Sequence, residues 1–379
     1  MRALLVATAL LLAACSASSP GPARQTWLEV KGLGHVVVAA SAAGQAGWLL
    51  GGGVIGSDGV NHVAIWSAVA PAGPWRRDAM SPVAGRDGPN ETIQGFGIRP
   101  GPGPLTAVGS RPSPTEGYPR PSTWLTPSSG TAWQEVLAGR ELFGGPNVVA
   151  IAGMGAGPHG YFVAGTWVTP DNHVVASVWR SATGARWSRD DTEPAFDAGP
   201  GTQSYALTVA DGPQGVLLGG TTATPVAGDP TRQLPTLWHS PDGSRWTRLP
   251  TPRLPGLPGR GAVHAIRAFG PGWLAAGQLE TWLIDSHLHA TSGALSGPEG
   301  STVTDLAVTP GAVLAAGVTP AGTVLVWRAA RHGEHLDAWQ AVSPPPTGPG
   351  WSGASLAAAG NQVVLVVFND TTSRVWRAG

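Results

Sequence analysis

One cysteine, one lysine and three tyrosines in 379 residues set the first limits on this chain. A single cysteine, Cys15, excludes an intramolecular disulfide, so the fold must be held by packing alone. Lys31 is the only lysine, and only 12% of residues are charged, with 23 basic against 23 acidic side chains. Without a basic stripe no nucleic acid is expected as partner, and no segment is polybasic enough to select anionic lipid by charge alone. Sustained helical periodicity is also missing, and 55 glycines with 36 prolines leave little room for long helices. The one long apolar run, Ala3 to Ala14, is too short to span a bilayer.

What the chain does have is a repeat. One copy reads Gly215-Val216-Leu217-Leu218-Gly219-Gly220, then a loop, then Leu237-Trp238-His239-Ser240-Pro241-Asp242-Gly243-Ser244-Arg245-Trp246. Apolar blocks of the same kind end at Gly52, Gly109, Gly165, Gly220, Gly277, Gly317 and Val367, which are 57, 56, 55, 57, 40 and 50 positions apart. A period near fifty means an array of like units. Each block is four to six residues long and bounded by turn residues, which is strand length, and its unbroken apolarity predicts a strand covered on both faces. A hairpin follows with a tryptophan on each arm: Trp66/Trp75, Trp124/Trp133, Trp179/Trp187, Trp238/Trp246 and Trp327/Trp339. Side chains of that size predict core packing between sheets. Upstream of each block lies an alternating strand, as in Val263-His264-Ala265-Ile266-Arg267-Ala268 and Val303-Thr304-Asp305-Leu306-Ala307-Val308.

Four strands per unit, seven times over, predict an all-β, seven-bladed β-propeller of four-stranded antiparallel blades, with six blades as the alternative count. The seventh unit stops one strand short at Val375-Trp376-Arg377, and Trp27-Leu28-Glu29-Val30 supplies the missing strand from the other terminus. Such closure leaves no unfinished sheet. The fifth unit departs from the pattern, with Trp282 only five residues after Gly277, so Leu279 to Ala294 must form a compact hairpin.

The N-terminus reads as an address. Met1-Arg2 and the apolar run have the form of a signal peptide, residues 1–14. The run ends in Leu12-Ala13-Ala14-Cys15, which resembles the lipobox of bacterial lipoproteins; the resemblance implies cleavage before Cys15 and lipidation of its thiol. Residues 15–25 then form a tether that extends at most roughly 35 Å, and residues 26–379 one propeller domain. Export and a lipid anchor on the outer face of the cytoplasmic membrane, or the periplasmic side of the envelope, are the corresponding expectations.

Ser240-Pro241-Asp242-Gly243-Ser244-Arg245-Trp246 resembles the Asp-box, or bacterial neuraminidase, repeat of sialidase-type propellers. The family pattern has one more residue between Asp and Gly. Ser181-Ala182-Thr183-Gly184-Ala185-Arg186-Trp187 keeps the frame without the Asp. In that family the box is structural and implies no activity. A sialidase needs three arginines on a carboxylate and a Tyr nucleophile helped by Glu. Tyr161 and Tyr205 sit in strand patterns and are expected in the core. Tyr118 lies near Arg111, Glu116 and Arg120, the one place where these residue types coincide. Ser110–Thr123 and Thr221–Thr236 read as long loops on the face of the inter-blade connections, presenting Arg111, Glu116, Tyr118, Arg120, Asp229 and Arg232 as candidate ligand-binding residues. The pairs His287/His289 and His332/His335, and the turns at Asp58 and Asp171, have donor types suited to metals, but strand, loop and turn roles account for them. No catalytic residue, metal or cofactor is assigned.

The expectation is a monomeric, non-enzymatic, lipid-anchored propeller that scaffolds an envelope protein or binds an extracellular ligand. The alternatives are a glycan-binding or sialidase-like glycoside hydrolase, and a sensor subunit coupled to a membrane partner.

Overall fold

The computed structural model describes residues 25–34, 36–44, 47–83, 91–101, 103–112, 119–127, 131–136, 140–190, 193–226, 229–252 and 261–379. Seven sheets follow one another around a central channel, antiparallel throughout except that Ala79–Ser81 adds a parallel edge strand beside Ala132–Val136 of blade two, so the predicted propeller has seven blades and not six. The strands lining the channel are Val36–Gly44, Thr92–Gly97, Val148–Gly157, Gln203–Gly212, Val263–Phe269, Thr302–Val308 and Gly353–Ala359. The apolar blocks form the second strand of each blade; Leu50, Val108, Val163, Leu218, Ala275, Ala315 and Leu365 there are fully buried. Blade five is the compact hairpin expected, Glu280–Ile284 paired with Ala290–Ala294.

The termini close the ring. Leu28–Glu29 pairs with Ser373–Ala378 as the outer strand of blade seven, Leu28 opposite Arg377 and Glu29 opposite Trp376. A second closure lies inside. Ser373 Oγ donates to Val36 O (3.0 Å) and accepts from Val38 N (2.8 Å), joining blade seven to blade one.

The tryptophans are packing elements, as expected. Trp66, Trp124, Trp179, Trp238 and Trp327 are each at most 4% exposed, which removes them from any surface stacking role. The indole N–H groups of Trp179, Trp238 and Trp327, and that of Trp282 in blade five, anchor the chain entering the blade. Trp179 donates to Leu142 O (2.6 Å), Trp238 to Ala195 O (2.8 Å), Trp282 to Pro252 O (2.8 Å) and Trp327 to Ser296 O (2.7 Å). In blades three and four the next residue of that connection, Phe143 or Phe196, packs against both tryptophans of the hairpin. A buried indole needs a hydrogen-bond acceptor, and a fixed connection supplies one.

The turn at Ser240–Trp246 shows why that sequence is chosen. Ser240 Oγ accepts from Gly243 N (2.8 Å), while Asp242 Oδ1 accepts from Ser244 N (2.9 Å) and Ser244 Oγ (2.7 Å). The Ser244 hydrogen bonds hold the Asp242 carboxyl down at about 2. Blade three keeps the serine half alone: Ser181 Oγ accepts from Gly184 N (2.8 Å). Gly243 has φ +77°, and a Cβ there would run into the Phe162 ring of blade three. Gly243→Ala is therefore expected to cost about 1–3 kcal/mol by denaturant unfolding, from backbone strain plus overpacking. Gly311→Ala, with ordinary φ and no neighbour within 4 Å, should stay within about 0.5 kcal/mol. Equal effects at both positions would contradict this account of the turn.

Candidate functional site

The channel narrows at a polar waist built from four blades. Arg267 pairs with Asp305, and its other terminal nitrogen donates to Ile266 O (2.9 Å). Asp305 Oδ2 accepts from Leu356 N (2.8 Å) and Ser355 Oγ (3.2 Å), and Oδ1 from Leu306 N (2.7 Å). Ser355 Oγ in turn accepts from Ser41 N and shares a hydrogen bond with Ser41 Oγ, both at 3.0 Å. Blades five, six, seven and one are thus joined in sequence through one buried carboxylate.

Chambers open above and below this waist. The upper one, on the face of the inter-blade connections, has a volume of about 270 Å³ and the lower about 340 Å³. Polar groups of the upper chamber include Gln94, Thr208, His264, Arg267, Thr304 and Asp305. Its two formal charges, Arg267 and Asp305, cancel. His264 makes no hydrogen bond to any described residue, and burial pushes its imidazole down to about 4, so it is neutral near pH 7. Phe368 adds an apolar surface, and its ring folds over the inner strand because Gly353 has no Cβ to obstruct it. Tyr205 is half-buried, not a core residue as expected. It stands near the start of the inner strand of blade four, its hydroxyl donating to Gln203 and raised by desolvation. Tyr161 is in the core, donating to Pro104 O (2.6 Å).

The lower chamber is bordered by Asp211, whose buried carboxylate holds His159 through its backbone N–H and ring Nδ1, both at 2.7 Å. Arg99 is spent on structure, donating to the carbonyls of Gly157, Ala182 and Pro158.

Cys15, Glu116 and Tyr118 lie outside the described residues. The two segments read as loops are largely strands. Leu105–Pro112 and Pro119–Thr126 pair up to Pro112 opposite Pro119, setting Arg111 opposite Arg120, which is half-buried and engaged. Gly215–Val226 and Asp229–Ser240 form a long ribbon, paired out to Val226 opposite Asp229, with Arg232 exposed opposite Thr224. Thr-rich, Pro-containing segments conceal such strands because the usual apolar alternation is absent. The histidine pairs fare similarly: His287 and His289 belong to the turn that Asp285 organises rather than to a strand face. Asp58 and Asp171 likewise accept bonds within their own turns. No group of three His, Cys, Asp or Glu among the described residues is placed to hold a metal ion.

No protein-family model matches the chain, and no curated protein matches it. Solved structures do. The extracellular domain of BT4673 from B. thetaiotaomicron, named as a candidate one component system, aligns at TM-score 0.51 and 9% identity over 93% of this chain. The chain spans 40% of that structure's length. A variant of the α-L-arabinofuranosidase arb93a from Fusarium graminearum, bound to an iminosugar inhibitor, aligns at 0.50 and 11% identity over 93% of this chain and 97% of its own. The α-L-arabinanase of Penicillium chrysogenum aligns at 0.49 and 12% over 94% and 97%. These are similarities of fold. The arabinofuranosidase likeness corrects one expectation: a glycosidase shares this propeller, so the chain can no longer be set down as not an enzyme.

Proposed function

We propose that this chain is an exported, lipid-anchored propeller that binds a small, uncharged, polar ligand with the chemistry of a neutral sugar in the upper chamber of its channel. The observation that carries this is His264, a neutral imidazole with no hydrogen-bond partner among the described residues, in a chamber whose formal charges cancel. His264 is half-buried, and an imidazole that faces a cavity from the channel wall is where a ligand's hydroxyl would be accepted or donated to. Phe368 offers the apolar counterpart that the C–H face of a sugar ring requires. A carboxylated sugar is less well served, because Arg267 is committed to Asp305 and Arg99 to three carbonyls. The signal-like residues 1–14 and the lipobox-like Leu12-Ala13-Ala14-Cys15 support the export and anchoring. The iminosugar held by the fold relative agrees with a sugar-like ligand.

The test is a calorimetric panel of neutral mono- and disaccharides, with sialic acid as the anionic control and aryl glycosides to report turnover. A neutral sugar is expected to bind wild type and to bind His264→Ala at least about tenfold more weakly. Binding should hold from pH 7 to 5 and fall as the pH approaches 4, where the imidazole acquires its proton. Preference for sialic acid, or neutral-sugar binding indifferent to His264, would overturn the reading.

A further inference from the structure

The outer strand of blade seven fixes where the N-terminal segment joins the disc. Leu28 sits opposite Arg377, one residue from the end of Ser373–Ala378. Residues 25–27 therefore approach the rim that, in the other six blades, carries the turns between third and fourth strands. That rim is on the side opposite the upper chamber, because third strands run from the inter-blade face towards it. The neighbouring turn, in blade one, runs Val69-Ala70-Pro71-Ala72-Gly73-Pro74-Trp75 and contains no ionisable side chain. Val69 is 92% exposed, the most exposed large hydrophobic residue among those described. Arg76 and Arg77 follow directly and are both exposed. Farther round, the turns of the same rim mix charges, with Arg186 in blade three, Asp242 and Arg245 in blade four, Asp285 in blade five and Arg331, Glu334 and Asp337 in blade six, and among the described residues none pairs an exposed aliphatic tip with uncompensated arginines.

An aliphatic tip backed by two arginines is the chemistry of an interfacial anchor. The tip enters the acyl boundary and the guanidiniums meet lipid phosphates, whereas carboxylates are repelled by an anionic surface. Two arginines alone are too few to bind lipid by charge, but the tether from Cys15 reaches at most roughly 35 Å and keeps this rim at the membrane. We propose that the blade-one turn 69–77 docks on the lipid surface beside the anchor, so that the mouth of the upper chamber faces away from the membrane. This rests on the reading of Cys15 as lipidated.

The test uses the full-length lipidated chain in vesicles containing phosphatidylglycerol. Cys15 is the only cysteine, and lipid occupies its thiol, so Val69→Cys and Ile55→Cys each add one reactive thiol for a polarity-sensitive fluorophore. Ile55 is a matched control, exposed at the opposite end of the blade-one strands. The probe at 69 is expected to shift to the blue and to be quenched at least about twofold by nitroxide lipids, with the probe at 55 unchanged. A water-like probe at 69, or quenching at 55, overturns the docking while leaving the anchor intact. Failure of Cys15→Ala to move the protein from membrane to soluble fraction overturns the anchor reading, and the docking with it.

Discussion

Deletion of residues 26–31 is expected to lower the melting temperature by roughly 4–8 °C. The segment is small, but it completes a sheet and closes a ring. Its removal strips the outer edge of Ser373–Ala378, including the bond from Val30 N to Val375 O (2.9 Å), and frees Arg374 from Glu29 (2.8 and 2.9 Å). Trp27 also goes, and with it the indole bond to Ser343 O (3.1 Å) that links blade seven to the end of blade six. Lost packing of Trp27 and Val30 against the cores on either side adds to these bonds, for a total of about 3–6 kcal/mol. The inner closure through Ser373, Val36 and Val38 remains, so the truncated ring should still fold, with a lower melting point. Scanning calorimetry of both forms measures the difference. A truncated chain that melts within a degree or two of the full one would mean that the terminal strand does not hold the ring.

The second large effect is at the waist. Asp305→Ala is expected to destabilise by about 2–4 kcal/mol, chiefly because it leaves the Leu356 and Leu306 N–H groups without their acceptor, and also because the partly exposed Arg267 guanidinium loses its partner. Replacing both ends, Arg267→Met with Asp305→Leu, should cost less, because no half-buried charge is then left without its partner. The orphaned N–H groups remain in the double variant, so some loss persists. Denaturant unfolding of the three proteins reads this directly. A double variant as unstable as the single one would show that the carboxylate's bonds to the backbone, and not the ion pair, govern the waist.

The blades were legible in sequence because each is built from local signals. Short apolar blocks, turn glycines and paired tryptophans recur in order, and the unpaired last unit points to its partner at the other terminus. Even the irregular fifth blade followed from the spacing of Gly277 and Trp282. The channel was less legible. His264 and Arg267 in one inner strand and Asp305 in the next were visible as polar residues within alternating strands, yet alternation alone does not tell a channel wall from a solvent face. What brings them together is the curvature of the ring, a property of all seven blades and of no single segment. The two segments read as loops misled for the opposite reason. Thr221 to Thr236 has polar, proline-bearing composition, but its backbone pairs as a ribbon, with Arg232 exposed on it.

The most direct measurement is the dissociation constant of the tightest neutral sugar in the panel for wild type, His264→Ala and Arg232→Ala. A chamber site predicts a loss of at least about tenfold for His264→Ala and no change for Arg232→Ala on the exposed ribbon. The reverse pattern, with Arg232 controlling affinity and His264 indifferent, would place the ligand on the ribbon and contradict the assignment of the channel.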